Sequence, residues 1–153
     1  MTLLEKIDGD LRSAMKAGDA SKVSTLRMLK ASVGSVAIQK GKPMLEDADI
    51  MEIIRKTLKQ HQESVDAFTK GGRADLAQKE THEAQILKGY LPPSLSEQEL
   101  KAVIQATIQE LGVSGRGPSA MGQVMKAVLP KLQGRADGKQ VSQMVGQLLQ
   151  GAA

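Results

Sequence analysis

The chain has 153 residues, 41% of them hydrophobic, and its lack of cysteine excludes disulfide frameworks, thiolate zinc sites and cysteine nucleophiles. One phenylalanine, one tyrosine and no tryptophan exclude nucleic-acid binders that stack bases on several exposed rings. Lys and Arg number 21 against 17 acidic residues, and the resulting net charge of +4 permits a polyanionic partner without requiring one.

Apolar residues recur at helical spacing along the first part of the chain, which predicts four helices. The predicted boundaries are, in chain order, a capping box of Thr2 and Glu5, a cap at Asp19 or Ser21, a start at Asp47 or Asp49, a break at Gly71-Gly72 and a stop at Pro92-Pro93. Neither of these two prolines can continue a helix, so we place a boundary between two subdomains there.

Three further helices are predicted after this boundary. The fifth helix has the clearest start, because Ser96 and Glu99 form a capping box and Leu95 and Leu100 a hydrophobic staple. We expect Ser119 to cap the sixth helix, Pro130 to kink or shorten it, and Asp137 to cap the seventh.

No segment alternates between apolar and polar residues as a strand does, so we predict an all-α fold of about seven helices. Residues 1–93 should form a four-helix subdomain and residues 94–153 a small three-helix bundle. No apolar run reaches the length of a membrane span, and the acidic N-terminal segment does not resemble a signal peptide. We therefore expect a soluble cytoplasmic protein without a membrane partner.

Residues that could perform catalysis are few. His61 falls on the apolar stripe of the third helix, which favours a core or boundary histidine over a catalytic one. His82 does not share a helix face with Glu80, which makes joint metal ligation with Glu80 and Glu83 geometrically poor. We expect Glu80 to form a structural ion pair, with Arg27, Arg55 or Lys59 as the candidate partners. The sequence predicts no catalytic residue, no metal and no cofactor.

The charge distribution is more informative. From Gly112 to the C-terminus, five basic residues oppose a single acidic one, and eight of the 15 glycines lie in this stretch. Glycine loops at helix starts expose N–H groups that suit phosphate, and a nearby arginine adds a bidentate donor. The candidate RNA-binding residues are Arg116, Lys126, Lys131, Arg135 and Lys139. The alternative is a solvated basic surface that keeps the protein soluble.

A set of short motifs in a fixed order resembles the YqeY-like proteins over essentially the whole chain. The motifs are Gly72-Arg73-Ala74-Asp75-Leu76, Lys79-Glu80, Glu83, Tyr90-Leu91-Pro92, Met121-Gly122-Gln123-Val124-Met125 and Gly134-Arg135-Ala136-Asp137-Gly138-Lys139. The same module is similar to the C-terminal tail of the B subunit of the aspartyl/glutamyl-tRNA amidotransferase, which helps to hold tRNA at its elbow. The resemblance implies two helical subdomains and a tRNA-amidotransferase-related context.

In the amidotransferase, the chemistry belongs to a catalytic cradle and to another subunit, neither of which this chain resembles. A carbon–nitrogen ligase label with glutamine as amide donor would therefore be inherited from the larger enzyme. Two functions stay open. The chain is either a non-catalytic module that binds tRNA or another structured RNA, or a protein-interaction adaptor that docks on an amidotransferase, synthetase or ribosome-associated partner.

Overall fold

The computed structural model describes residues 1–132 and 134–150, and every regular element in these ranges is a helix. The elements are α1 (Leu3–Ala17), α2 (Ala20–Lys40), α3 (Asp47–Lys70), α4 (Ala74–Lys88), α5 (Glu97–Leu111), a 3₁₀ helix (Gly117–Ala120), α6 (Met121–Leu132) and α7 (Gly138–Gln150). The all-α prediction is confirmed. No helix in the described ranges combines the length and the apolar character needed to cross a bilayer.

The chain divides into two compact units, which we call the N-terminal unit (residues 1–91) and the C-terminal unit (from Pro92 onward). The N-terminal unit thus ends at Leu91, two residues before the predicted end of the first subdomain at residue 93. Residues 151–153, which the predicted second subdomain includes, lie outside the described part of the chain. Each unit has its own cluster of buried apolar side chains.

The core of the N-terminal unit is built from one apolar stripe on each of its four helices. The side chains at its centre are Ile7, Leu26, Ile50, Ile54 and Leu87. Short connections join α1 to α2 and α3 to α4, which is typical of helical hairpins. Tyr90 closes one side of the core, and its hydroxyl donates a hydrogen bond of 2.6 Å to Asp10 Oδ2.

Two of the predicted helix starts in the N-terminal unit have the predicted N-cap. Thr2 and Glu5 form the predicted capping box, and Asp19 caps α2. The helix α3 begins at Asp47, one of the two predicted starts, and its N-cap residue is Glu46. Asp49 accepts the N–H of Glu46 at 3.3 Å, while Asp47 accepts the N–H of Leu3 at 2.9 Å. Asp47 therefore ties the start of α1 to the start of α3.

The C-terminal unit packs α5, the 3₁₀ helix, α6 and α7 around a core of aliphatic side chains. Those with no solvent exposure are Leu100, Ile104, Val113, Val124, Val128, Val141 and Val145. Ser96 and Glu99 form the predicted capping box. Val113 lies in the glycine-rich connection between α5 and the 3₁₀ helix, so this loop is anchored to the core by one buried side chain.

Two local expectations in the C-terminal unit need revision. Ser119 does not cap α6, because it lies inside the 3₁₀ helix and its hydroxyl donates to the carbonyl of Arg116 at 3.0 Å. Pro130 lies inside α6, which nevertheless continues to Leu132. A proline disturbs the turn before it, because it lacks the N–H that would bond to the carbonyl four residues earlier, and the residues after it can stay helical.

Candidate nucleic-acid interface

All five candidate RNA-binding residues belong to the C-terminal unit. Arg116, Lys126, Lys131 and Lys139 are exposed, and Arg135 is half-buried. The apolar stripes of α6 and α7 turn toward the core, which leaves the lysines of these helices on the outer faces.

The five residues do not form one compact cluster. Arg116 precedes α6 and Arg135 follows it, and the 12 residues of this helix span about 18 Å. Lys131, Arg135 and Lys139 lie around the turn between α6 and α7. The structure therefore brings these three residues to one end of α6 and places Arg116 beyond its other end.

Lys131 is engaged with α5. Its Nζ lies 2.7 Å from Glu110 Oε2 and donates a second hydrogen bond of 3.1 Å to the hydroxyl of Thr107. The carboxylate offsets the charge of Lys131, so this lysine offers less to a phosphate than its exposure suggests.

Arg135 forms hydrogen bonds with the segment that precedes α5. Its Nε donates to the carbonyl of Pro93 at 2.9 Å, and its own carbonyl accepts the N–H of Leu95 at 2.9 Å. The pKa of Glu99 is lowered mainly by its hydrogen bonds with Ser96, and the charge of Arg135 adds to this effect. Arg135 thus fixes the segment before α5 with part of its guanidinium and keeps the remaining N–H groups for other partners.

The helix starts are less open to phosphate than the glycine content predicts. Asp137 stands at the start of α7, and its Oδ1 lies 3.4 Å from the backbone nitrogen of Lys139. This carboxylate competes with any phosphate at the same N–H groups. Arg116 precedes a 3₁₀ helix of four residues and not α6 itself.

Three of the five side chains are the most available for a polyanion. Within the described residues, the side chains of Arg116, Lys126 and Lys139 form neither a hydrogen bond nor an ion pair. Such cations bind phosphate through charge, and without aromatic neighbours they read the shape of a backbone and not its bases.

A second group of chemically active side chains lies in the N-terminal unit. His61 Nδ1 forms a hydrogen bond with Glu80 Oε2 and lies 3.9 Å from Glu83 Oε2. The prediction of a core or boundary position for His61 agrees with its partial burial. The two carboxylates were considered as metal ligands only together with His82, and that grouping was rejected as geometrically poor. His82 is exposed, and Glu80 forms a hydrogen bond with His61, a partner that the sequence analysis did not consider.

An open groove runs between α3 and α4 near the turn that joins them. Its volume is about 470 Å³, and small or apolar side chains form much of its wall, among them Val65, Ala74 and Ala77. The groove holds no pair of acidic or basic groups that could act on a substrate, and His82 is its one titratable side chain among the lining residues.

Comparison with known proteins decides the family. The model of the family described as Yqey-like protein matches residues 4–149. The chain belongs to the YqeY-like protein family. This confirms the resemblance that the motifs indicate, whereas the family description by itself assigns neither a catalytic activity nor an RNA ligand.

Several fungal YqeY-like relatives carry the name "Altered inheritance of mitochondria protein 41, mitochondrial". The protein of Pyrenophora tritici-repentis is 27% identical, and the alignment covers 96% of this chain and 81% of the relative. The protein of Eremothecium gossypii is 36% identical, with 71% of this chain and 60% of the relative covered. For Lachancea thermotolerans the identity is 31%, with 67% and 56% covered. The chain therefore spans less than two thirds of the last two relatives.

These names correct one expectation. The sequence analysis expects a cytoplasmic protein, and that expectation is contradicted by relatives that are named as mitochondrial proteins. The expectation was wrong because it was drawn from the lack of a membrane span and of a signal peptide, and neither feature distinguishes one aqueous compartment from another.

Proposed function

We propose that this YqeY-like protein is a non-catalytic module that binds tRNA or another structured RNA through its C-terminal unit. The observation that carries the proposal is the exposure of Arg116, Lys126 and Lys139 without an acidic partner among the described residues. Arg135 and Lys131 extend the same surface, each with part of its donor capacity already used. We favour RNA because several separated cations can each contact a different phosphate of a polyanion. A small anion could bind only to cations that lie close together.

The resemblance to the amidotransferase tail supports a structured RNA over a single strand. In that enzyme the similar module holds tRNA at its elbow, which is a feature of shape and not of base sequence. The exposed rings that a single-strand binder would stack on bases are missing here, because the sequence has one tyrosine and one phenylalanine, of which Tyr90 is buried.

The test is a filter-binding titration of tRNA at several salt concentrations with the full chain. The variant combines Arg116→Ala, Lys126→Ala and Lys139→Ala, which remove only exposed side chains. Each lost phosphate contact should lower the slope of log affinity against log salt by roughly one. We expect the triple variant to bind tRNA more weakly at every salt concentration and to lose up to about three units of slope.

A matched control removes the same charge from the N-terminal unit. Lys59, Lys70 and Lys79 are exposed on α3 and α4, and their replacement by alanine lowers the net charge equally. We expect this control to keep most of the affinity and of the salt slope. Equal losses in both variants would mean that the RNA follows net charge only, and unchanged binding in the folded triple variant would mean that the basic surface is merely solvated.

The alternative function is a protein-interaction adaptor, and the apolar groove between α3 and α4 favours it. Its occupant would be the apolar face of a helix from a partner protein. Ala77 is buried in the wall of this groove, so Ala77→Lys should prevent docking. A partner that stays bound after nuclease treatment, and that is lost in this variant while the fold is kept, would favour the adaptor over the RNA-binding module.

A further inference from the structure

The side chains of His61, Glu80 and Glu83 meet in the N-terminal unit, whereas the basic residues of the proposed RNA surface belong to the C-terminal unit. One ligand atom from each of the three lies within 4.8 Å of the other two. An imidazole nitrogen and two carboxylate oxygens form a ligand set that borderline metals such as zinc accept, whereas calcium and magnesium favour oxygen ligands alone.

Two firmly packed helices hold this group. His61 lies on α3, and Glu80 and Glu83 lie three residues apart on α4, which puts both carboxylates on one face of that helix. The three side chains are only 15%, 23% and 13% exposed. A set held in this way loses little conformational freedom when it binds an ion.

The distances suit a small ion after minor side-chain rotation. A tetrahedral zinc ion with bonds of about 2.1 Å keeps its ligand atoms about 3.4 Å apart. The separation between His61 Nδ1 and Glu83 Oε2 is 3.9 Å, close to that value. Glu80 Oε2, which hydrogen-bonds to Nδ1, has to move outward, and a glutamate side chain has the rotatable bonds to do so.

Space for further ligands lies next to the group. His61 and Glu83 line a cavity of about 100 Å³, which is large enough for water molecules. Thr25, Ser32 and Thr57 also line it. The hydroxyls of Thr25 and Thr57 donate to backbone carbonyls, so their oxygens keep lone pairs that can accept hydrogen bonds from metal-bound water.

We propose that His61, Glu80 and Glu83 bind a divalent transition-metal ion, with zinc as the best match. His61 Nδ1 and one oxygen from each glutamate would supply three ligands, and a water molecule on the cavity side would supply the fourth. The ion would neutralise two neighbouring carboxylates and would join α3 to α4. This inference concerns the N-terminal unit and does not depend on RNA binding.

The experiment is a calorimetric titration of the tag-free full chain with zinc chloride, repeated with cobalt chloride while the visible absorption is recorded. The variants are His61→Ala, Glu80→Gln and Glu83→Gln, of which the last two keep the side-chain shape. His82→Ala and Glu63→Gln are the matched controls, since both residues are exposed on the same helix pair. Circular dichroism verifies that each variant is folded.

The proposal expects one zinc ion per chain, a higher melting temperature with zinc, and a loss of affinity of at least about tenfold in each of the three variants. Both controls should keep the affinity of the wild type. The proposal is overturned if the wild type does not bind zinc, or if any folded variant of the three loses less than that. The group would then be a hydrogen-bonded contact between two helices and nothing more.

Discussion

The two units of this YqeY-like protein use their charged side chains in different ways. In the N-terminal unit, acidic and basic residues are nearly balanced, and some of them form ion pairs. Lys30 pairs with Asp8 at 2.7 Å, and Lys40 pairs with Asp49 at 2.6 Å. In the last part of the C-terminal unit, basic residues outnumber acidic ones by five to one from Gly112 onward. Three of these five cations have no side-chain partner within the described residues.

This difference separates stabilising charge from charge that is available for binding. Exposed ion pairs such as those of the N-terminal unit add little stability, but each pair largely cancels the potential of its own two charges. The pKa of Asp49 is lowered mainly by its hydrogen bond with Lys40, because that bond stabilises the charged carboxylate. Lys126 on α6 and Lys139 at the start of α7, which have no side-chain partner in residues 1–132 and 134–150, create a field that reaches beyond the surface.

The largest expected effects concern packing, in which the two units should not differ. Ile54 and Ile104 are both fully buried, one in each core. Replacement of either by alanine should lower the free energy of unfolding of its own unit by about 2–5 kcal/mol. Urea denaturation of the two variants measures these losses. A loss below about 1 kcal/mol for one of them would show that its unit is loosely packed. The two units could then not be compared as equally well-packed structures.

A smaller effect concerns the contact between Tyr90 and Asp10 in the N-terminal unit. The pKa of Tyr90 is raised by burial and further by its hydrogen bond to Asp10 and by the charge of that residue. A raised pKa in the folded state means that the contribution to stability is present below the ordinary value of 10.0 and is lost as the pH rises above it.

Asp10→Asn should therefore lower the pKa of Tyr90 toward its ordinary value. Tyr90 is the single tyrosine of the chain, so the near-ultraviolet absorbance of its phenolate follows this group alone during a pH titration. The phenolate should appear at lower pH in the variant than in the wild type. Identical titration curves would show that Asp10 does not act on Tyr90, and that charge pairing in this unit is less specific than we describe.

The smallest expected effect sharpens the comparison inside the C-terminal unit. Lys131 is paired with Glu110, and Glu110→Gln should release its charge for RNA. At low salt we expect tRNA to bind about two- to fourfold more tightly, because an exposed pair contributes up to about 1 kcal/mol. Glu63→Gln on α3 removes an equal charge as a control, and an equal gain there would mean that net charge alone sets the affinity.

Much of the fold could be predicted from residue spacing and capping motifs. Leu100 and Ile104 lie on the predicted stripe of α5, and Ser96 caps this helix as its sequence indicates. The start of α3 at Asp47 was predicted as one of two positions, but its cap at Glu46 was not, because glutamate is not among the preferred cap residues. The structure uses Asp47 to bind the N–H of Leu3, a contact between distant segments that no local pattern reveals.

The meeting of His61 with Glu80 and Glu83 was missed for a similar reason. The sequence analysis compared residues within one helix, where His82 and Glu80 face different sides. In a helical hairpin, residues equally distant from the turn face one another, and His61 and Glu83 are each 11 positions from Gly72. This symmetry about Gly72 could have identified the pair.

The RNA surface was only partly predictable from the sequence. Composition identifies an excess of basic residues after Gly112, but it does not show that Glu110 engages Lys131 or that Pro93 engages Arg135. Both contacts join residues more than 20 positions apart in the chain. They depend on how the helices of the unit pack, and this is why the lysine and arginine residues differ in what they offer to a phosphate.

The most direct test of the division between the two units is an NMR titration of the isotopically labelled full chain with tRNA. We expect the backbone amide signals of Arg116, Lys126 and Lys139 and of their neighbours to shift or broaden as RNA is added. Signals of the N-terminal unit, such as those of Lys40 and Asp49, should change little. Shifts confined to residues 1–91 would contradict the account, because they would place the RNA on the N-terminal unit and not on the basic residues of the C-terminal unit.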